Sequence, residues 1–356
     1  MSDKAILYED VDGTTFEVEL PLTSNIDLEE IMKELGVPSY VDMDYFPMKS
    51  AVVSIWAALN AKELHQRYPQ AFEKRVSKKL IPVLLFGGAA VKMHCEHANG
   101  TGLLSREIKD TDFIVPKKQG LDFYKLLLSI DEAFGTRYKS FSTKSDRLFN
   151  ALRHGERYRI RTIEGVTDEG IPIVGVMDIL CDHISLRHRI EVKDAFKKYR
   201  ENLYTIGLEY LILSKAQFIM DFSKEKLSEL REHEQEFRIL PYPHYADDKV
   251  VLGMEEKDVK DICAIFLDHS IGNGKEEINS ERMEKILKKD QKFALTATLN
   301  LENLVEKPDA LKRWLKKSDV ATVTDRIKTL LKSLPKVNKK WDKPWWNTAV
   351  ETPIIE

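Results

Sequence analysis

Two aspartates separated by a single residue are the part of this sequence best suited to chemistry. Asp110 and Asp112 open a short apolar run that ends at Val115, which predicts a strand. Alternate residues of a strand point to the same face, so both carboxylates would project together. Close carboxylates repel each other unless a cation lies between them, and oxygen ligands suit Mg²⁺ or Mn²⁺. Two solvated acids at the end of a loop are the alternative interpretation.

A glycine pair precedes these aspartates along the chain. The apolar run Ile81–Phe86 ends directly at Gly87 and Gly88, and a helical pattern follows, which predicts a strand, a tight turn and a helix. Glycine lets the backbone turn sharply and approach a ligand closely, and the first turn of a helix favours phosphate. The pattern indicates either a phosphate-binding turn or simple turn geometry.

A third acid lies inside the strand predicted over Ile171–Cys181. Asp178 is surrounded there by apolar residues, so its burial is costly unless it has a partner or a metal ion. With Asp110 and Asp112 it would complete a two-metal site for phosphoryl transfer. An exposed strand face or a structural hydrogen bond is the alternative, and Asp182, at the end of the strand, is a weaker candidate.

Two charged positions on predicted helices complete the set. A helix over 202–222 puts Lys215 in a stripe of Leu and Phe side chains, where its ammonium needs an anion. That anion could be a triphosphate or a structural carboxylate. Asp258 lies in the first turn of a helix predicted over 256–269, where acids ordinarily complement the helix dipole.

Taken together, these segments resemble the nucleotidyltransferase superfamily related to DNA polymerase β. More narrowly, they are similar to the AbiEii-like abortive-infection nucleotidyltransferases, which include toxins of type IV toxin–antitoxin systems. The resemblance spans about residues 80–270 and rests on FGGAAVKMH, REIKDTDF, LEYLILSKAQFIMDF and EKDVKDICAIF, in that order. Two departures are Ala89, where many superfamily members have serine after the glycine pair, and the long interval from Gly88 to Asp110.

The resemblance implies a metal-dependent enzyme that moves a nucleoside monophosphate from an NTP to a hydroxyl and releases pyrophosphate. Its catalytic residues would be Asp110, Asp112, Asp178, Lys215 and Asp258. Its metal ligands, for Mg²⁺ or Mn²⁺, would be Asp110, Asp112 and Asp178. Its nucleotide-binding residues would be Gly87, Gly88, Arg106 and Lys215. For Arg106, an ion pair at a helix end is the alternative.

Partners and competing functions follow from the same comparison and from charge. The hydroxyl acceptor could be RNA, a protein or a small molecule, and a toxin-like member would have an antitoxin protein as partner. A catalytically inactive nucleotide-binding or regulatory module on the same fold is one alternative. An RNA-binding protein is another, because residues 311–344 have a net charge of +8 and four tryptophans lie in or beside them, Trp314, Trp341, Trp345 and Trp346. A basic surface helix with a buried aromatic tail would also explain that pattern.

The composition of the whole chain limits the class of protein. The sequence has 356 residues, with 43% hydrophobic and 32% charged residues and a net charge of -3, which is typical of a folded protein of about two domains. No apolar run approaches the roughly 20 residues of a membrane span, and the N-terminus lacks a signal-peptide pattern. Three separate cysteines without a zinc motif fit a reducing compartment. We therefore expect a cytoplasmic protein with no membrane partner.

The elements that must position these residues indicate an α+β fold. We expect a nucleotidyltransferase-type mixed β-sheet with flanking helices, followed by a C-terminal α-helical region. The expected boundaries are an N-terminal extension over 1–79, a nucleotidyltransferase core over 80–184, and a helical domain over 185–356 that completes the site and ends in a basic, aromatic tail. The extension would contain a hairpin, from the alternation over 6–20, and helices, the first over 27–36 with a cap near Asn25. Strand signals stop near residue 185, and helices are predicted over 185–200, 202–222, 224–236, 256–269, 279–289, 296–304 and 308–334.

Overall fold

The computed structural model describes most of the chain. The described residues are 5–9, 15–19, 27–67, 79–134, 140–167, 171–217, 220–223, 239–240, 249–252, 254–337 and 345–347. Within them the fold is mixed α/β, with a five-stranded mixed sheet and twelve α-helices. None of the helices in this part of the chain combines the length and apolar character that a bilayer crossing requires.

The first of two compact units consists of Met1–Met93, Glu107–His183 and Val192–Ile206. Its strands are β1 (Ala5–Glu9), β2 (Thr15–Glu19), β3 (Leu84–Phe86), β4 (Asp110–Val115), β5 (Ser140–Phe141), β6 (Arg157–Val166) and β7 (Pro172–Cys181). Its helices are α1 (Leu28–Leu35), α2 (Phe46–Leu59), α3 (Ala61–Arg67), α4 (Gly87–His94), α5 (Gly120–Phe134) and α6 (Lys144–Leu152).

The five-stranded sheet of this unit has the order β3-β4-β7-β6-β5. Strand β4 is parallel to β7, and the other neighbouring pairs are antiparallel. The register places Asp112 beside Asp178 and Asp178 beside Arg159. Directly paired residues on neighbouring strands project to the same face. These three side chains therefore form one row across the sheet.

The opposite face of the sheet is apolar and packs on two helices. The ring of Phe113 on β4 meets that of Phe123 on α5 edge to face, with centroids 5.4 Å apart. The hydroxyl of Thr111 donates to the carbonyl of Pro47 on α2, at 3.1 Å. Side chains alternate between the two faces of a strand, so Thr111 and Phe113 point to the face opposite Asp110 and Asp112. The core of the unit thus lies on one side of the sheet and the charged row on the other.

The N-terminal hairpin and the first helix are confirmed. Strand β1 pairs antiparallel with β2, as the alternation over 6–20 predicts. Helix α1 begins after Asp27, whose carboxylate accepts a hydrogen bond from the backbone N–H of Glu30, and it ends at Gly36 with φ of +67°. The sequence favours a cap near Asn25, and this prediction is two residues too early.

The second compact unit consists of His94–Arg106, Ile184–Glu191 and Gly207–Glu356. Its helices are α7 (Leu208–Lys215), α8 (Glu256–Asp268), α9 (Ser280–Leu287), α10 (Gln291–Glu306), α11 (Pro308–Leu311) and α12 (Lys317–Ser333). Its strands are β8 (His183–Ser185), which pairs with β9 (Arg189–Glu191), and β12 (Lys249–Leu252), which lies between β10 (Met220–Ser223) and β11 (Ile239–Leu240).

An arginine from α12 caps the C-terminal end of helix α8 in this unit. Arg326 donates to the backbone carbonyls of Phe266, Leu267 and His269, at 2.8, 2.9 and 3.1 Å. The last carbonyls of a helix lack partners inside it, so a buried helix end needs donors from elsewhere. Arg326 supplies them and joins the end of α8 to α12.

Most helices predicted after residue 255 are confirmed, with α11 and α12 dividing the long segment predicted over 308–334. The helix predicted over 185–200 is wrong, because β9 occupies part of that range. The expectation that strands stop near residue 185 is also wrong, since β9 to β12 follow. The helix predicted over 224–236 lies outside the described residues.

The helix predicted over 202–222 is correct only for α7, its middle third. Leu203 and Tyr204 have φ of +51° and +58°, a backbone conformation that a right-handed helix excludes. Beyond Lys215 the chain enters β10, which pairs antiparallel with β12. The stripe that places Lys215 among Leu and Phe side chains therefore does not continue as a helix to residue 222.

Candidate active site

One face of the five-stranded sheet gathers the three aspartates that the sequence singles out. Asp110 and Asp112 alternate along β4, and Asp178 stands beside Asp112 on β7. Neighbouring strands lie about 4.8 Å apart, so the carboxylates of Asp112 and Asp178 are within reach of each other. Asp110 is exposed, Asp112 is half-buried and Asp178 is buried. The solvent exposure of the three carboxylates therefore decreases from Asp110 to Asp178.

The turn between β3 and α4 lies against this face. Gly87 begins α4 with φ of +70°, in the left-handed region. A Cβ atom at Gly87 would lie 2.5 Å from Oδ2 of Asp112, far closer than real contacts allow. Glycine is therefore required both by the backbone conformation and by the approach of the carboxylate. Gly88 follows as the second residue of the helix.

Replacing Gly87 by alanine is expected to destabilise the first unit and to displace the Asp112 carboxylate. Alanine at positive φ costs about 1–2 kcal/mol, and the clash with Oδ2 adds to that cost. Gly36→Ala is the matched control, because Gly36 has φ of +67° but nothing within 4 Å of its Cβ position. Urea unfolding measures both variants. An equal loss of unfolding free energy in the two would contradict the close approach.

Asp178 is held by two arginines of β6. Nη2 of Arg157 lies 2.5 Å from Oδ2 of Asp178, and Nε and Nη2 of Arg159 lie 3.0 Å from Oδ1 and Oδ2. Burial alone would raise the pKa of Asp178, but the hydrogen bonds and charges of Arg159 and Arg157 outweigh burial and lower it. Asp178 is therefore a carboxylate that stays ionised in a nearly closed environment.

The residues present fit a divalent cation in part. Asp110 and Asp112 offer two carboxylates on one face, at the open side of the sheet, which is a suitable start for Mg²⁺ or Mn²⁺. Asp178 does not fit as placed, because guanidinium groups contact both of its oxygens. In the part of the chain that the structure describes, no three His, Cys, Asp or Glu side chains form a group that could hold a metal ion.

The second unit holds the other predicted site residues in a buried cluster of four charges. Nε and Nη2 of Arg106 donate to Oδ1 and Oδ2 of Asp261, at 2.9 and 2.7 Å. Nζ of Lys215 lies 2.8 Å from Oδ2 of Asp261 and 3.3 Å from Oδ1 of Asp258. We call these four residues the buried quartet. Its formal charge sums to zero.

The pKa values of the buried quartet follow from burial and pairing. Burial alone would lower the pKa of Lys215, but the carboxylates of Asp261 and Asp258 raise it above its usual range. Asp261 has a lowered pKa because Lys215 and Arg106 outweigh the effect of its burial, whereas burial raises the pKa of Asp258. Lys215 and Arg106 thus have structural carboxylates as partners, and a nucleotide contact for either of them stays a prediction.

Three residues that contact these groups receive no role from the sequence pattern alone. Asp261 completes the buried quartet, and Arg157 and Arg159 of β6 hold Asp178. The signal for the arginines is present in the chain, because the string Arg-Tyr-Arg-Ile-Arg lies in a predicted strand, where alternate residues share a face. For Asp261 the signal is its spacing of three from Asp258 on a helix, which puts both on neighbouring positions.

The C-terminal tryptophans are placed as the buried aromatic tail would place them. Trp345 and Trp346 are 3% and 6% exposed, and the indole N–H of Trp345 donates to the hydroxyl of Thr296 on α10, at 2.9 Å. Buried rings do not offer a face on which a base can stack. The ring of Trp314 lies under Arg313, with 5.0 Å between Cζ and the ring centroid. Trp341 lies outside the described residues.

No protein-family model, curated protein or solved structure matches this chain. The likeness to nucleotidyltransferases therefore depends on the four sequence segments themselves. The roles that it implies for individual residues are proposals, which the geometry of each unit can support and experiment can test.

Proposed function

We propose that this protein is a metal-dependent nucleotidyltransferase that transfers a nucleoside monophosphate from an NTP to a hydroxyl group. One observation carries the proposal. Asp110 and Asp112 project from one face of β4, and the glycine turn that begins α4 lies against the second of them. A carboxylate pair beside a close-approach glycine turn suits a ligand that has both a divalent cation and phosphate groups. The order of these motifs along the chain supports the same class.

The carboxylates and the glycine turn of this face have different roles in the proposed reaction. Asp110 and Asp112 would hold Mg²⁺ or Mn²⁺, and the glycine turn would let the triphosphate approach the backbone. When bound, the cation neutralises charge on the phosphate oxygens and orients the triphosphate. Gly87 keeps the space beside Asp112 clear of a side chain, since any Cβ atom there would displace the carboxylate.

The proposed reaction is a single displacement at phosphorus. The oxygen of the acceptor hydroxyl forms a bond to the α-phosphorus, and the bond from that phosphorus to the α,β-bridging oxygen breaks. Pyrophosphate leaves with the bonding electron pair, and the hydroxyl proton passes to water. Asp178 is not suited to accept this proton, because its two arginine partners lower its pKa.

A nucleotide-binding module without catalysis is the second candidate, and one observation favours it. The third acid of a two-metal arrangement, Asp178, is engaged by Arg157 and Arg159 instead of lying open to a cation. A binding module needs the glycine turn and phosphate contacts but has no need for an open set of three carboxylates. The two candidates differ in one measurable property, which is turnover.

The test is incubation of the full chain with α-³²P-labelled ATP, GTP, CTP and UTP, Mg²⁺ or Mn²⁺, and total RNA. A parallel reaction replaces RNA with a protein extract, since protein hydroxyls are the other class of macromolecular acceptor. We expect label in an acceptor and release of pyrophosphate with at least one NTP. Nucleotide binding without incorporation into any acceptor would support the binding module and contradict the enzyme. An antitoxin partner stays a prediction.

A further inference from the structure

Three arginines alternate along β6 on the charged face of the sheet. Arg159 is paired in register with Asp178, while Arg157 and Arg161 are paired with Leu180 and Val176 of β7. Residues two apart on a strand share a face, so all three guanidinium groups belong to the face that carries the aspartates. The face is therefore divided, with acids on β4, arginines on β6 and Asp178 on the strand between them.

Asp178 orients two of these arginines. It accepts two hydrogen bonds from Arg159 and one from Arg157, and its side chain is only 8% exposed. Bidentate pairing fixes the plane of a guanidinium as well as its position. A carboxylate on the middle strand thus sets the direction in which the arginines of the next strand point.

Phe149 on α6 supports the same two arginines from another side. The guanidinium carbons of Arg159 and Arg157 lie 4.7 and 5.4 Å from the centroid of its ring. A cation over an aromatic face is attracted by the ring, and a planar guanidinium can stack on it. Both groups are therefore held before any ligand arrives, so binding would cost less in lost side-chain freedom.

The two arginines are placed to meet an anion from solvent. Their side chains are 26% and 27% exposed, whereas Asp178 is nearly closed off. Arg161, the third arginine of the row, is paired with Asp146 at 2.9 Å. A guanidinium has five N–H donors in a rigid fork that matches the oxygens of phosphate.

We propose that Arg157 and Arg159 bind phosphate groups of the NTP and that Asp178 is a positioning residue for them, not a metal ligand. The choice of NTP as the source of phosphate rests on the proposed function. Acids on β4 would face the cation, and arginines on β6 would face phosphate oxygens that the cation leaves uncovered. This division gives each half of a metal–nucleotide complex a partner of opposite charge.

The test is calorimetric titration of the full chain with inorganic tripolyphosphate, which contains the phosphate chain without base or sugar. Arg157→Gln and Arg159→Gln are each expected to weaken binding at least tenfold. Arg189→Gln is the matched control, because Arg189 is also a strand arginine in an ion pair, with Glu191 at 2.8 Å. The control is expected to bind within twofold of wild type. Unchanged binding in Arg157→Gln and Arg159→Gln would overturn the proposal.

A double variant distinguishes a loss of binding from a loss of folding. Arg159→Gln leaves Asp178 with fewer partners, and an underpaired buried carboxylate is costly. Arg159→Gln combined with Asp178→Asn replaces the ion pair by two neutral amides. We expect this double variant to fold, by circular dichroism and thermal unfolding, and still to bind tripolyphosphate at least tenfold more weakly. Binding at the wild-type level in the folded double variant would overturn the proposal.

The positioning role of Asp178 has its own measurements. Asp178→Asn is expected to weaken tripolyphosphate binding at least threefold, because the guanidiniums lose the carboxylate that orients them. Its affinity for Mn²⁺, measured by electron paramagnetic resonance, is expected to stay within twofold of wild type. A tenfold loss of Mn²⁺ affinity would identify Asp178 as a metal ligand and overturn this part. Tighter binding of tripolyphosphate would overturn it too.

These results separate the phosphate site from the proposed function. A chain that binds tripolyphosphate through the two arginines but transfers no nucleotide would contradict the enzyme and support the site. A chain that transfers nucleotide with unchanged tripolyphosphate binding in both arginine variants would do the reverse. A single-stranded RNA with a 5′-hydroxyl is the third ligand to titrate. If the variants weaken RNA binding but not tripolyphosphate binding, the arginines serve an acceptor backbone and the proposal is wrong.

Discussion

Replacing Asp110 or Asp112 by asparagine is expected to lower the rate of nucleotidyl transfer by about 10³-fold or more. A bound cation supplies several kcal/mol of charge stabilisation in the transition state. Each loss of about 1.36 kcal/mol lowers the rate tenfold. Asparagine keeps the size of each side chain and removes the charge. Asp110 is exposed and Asp112 is half-buried, so neither change should cost much unfolding free energy. Initial rates at saturating NTP and Mg²⁺ measure the effect.

The matched control for these variants is Asp182→Asn. Asp182 also lies at an end of the same sheet, and its Oδ1 accepts a hydrogen bond from the backbone N–H of Lys117 at 3.0 Å. Asparagine can accept that bond and tolerates the φ of +65° found at this position. We expect near-wild-type rates in Asp182→Asn. Rates within tenfold of wild type in both Asp110→Asn and Asp112→Asn would remove the carboxylate pair from the mechanism, and Mn²⁺ affinity would show whether it binds metal at all.

Replacing Lys215 by methionine is expected to lower the free energy of unfolding by about 3–5 kcal/mol, the usual cost of removing one member of a buried ion pair. Methionine fills a similar volume, but Asp258 and Asp261 then share Arg106 as their only cation in the buried quartet. Burial raises the pKa of Asp258 already, and loss of Lys215 would raise it further. Chemical unfolding followed by fluorescence measures the change. Lys288→Met is the control, because Lys288 forms an exposed pair with Glu284 whose loss should cost about 0.5 kcal/mol or less.

A rescue experiment separates charge balance from any other role of Lys215. Lys215→Met combined with Asp258→Asn leaves Arg106 and Asp261 as a neutral pair, so we expect the double variant to be more stable than Lys215→Met alone. The coupling between the two sites is measured by the double-mutant cycle. A double variant that is less stable than either single one would contradict the buried quartet as described. If stability returns but nucleotidyl transfer does not, the nucleotide contact that the resemblance implies for Lys215 is supported.

The local elements of the first unit could be predicted from the sequence because their signals are local. An apolar run followed by two glycines is enough to indicate β3 and α4, and the apolar run around Asp178 is enough to indicate β7. What the sequence alone does not contain is the register between strands that are distant along the chain. The pairing of Asp112 with Asp178, and of Asp178 with Arg159, depends on how β4, β7 and β6 align. Without that register, the sequence around Asp178 is equally consistent with a metal ligand and with a partner of an arginine.

One error in the second unit, the helix predicted through residue 222, has the same physical origin. Phe222 falls on the helical stripe that also contains Leu211 and Lys215, but residues 220–223 pair with β12, almost thirty residues later. Strand formation depends strongly on such pairing, and a local window does not detect it. The predicted start of α7 is wrong for a different reason, because the residue types of Leu203 and Tyr204 do not indicate positive φ. The sequence nonetheless predicts that Lys215 needs an anion, and Asp258 and Asp261 are the anions that it contacts.

The order of strands in the five-stranded sheet gives the charged face a direction. Strand β7 separates β4 from β6, so the acidic and basic strands of the face lie about 10 Å apart, twice the spacing of neighbouring strands. An elongated molecule with a cation near one end and bare phosphate oxygens near the other would match this polarity in one orientation and oppose it in the reverse one. Strand order, which is fixed when the chain folds, would then determine which end of a substrate points toward the glycine turn.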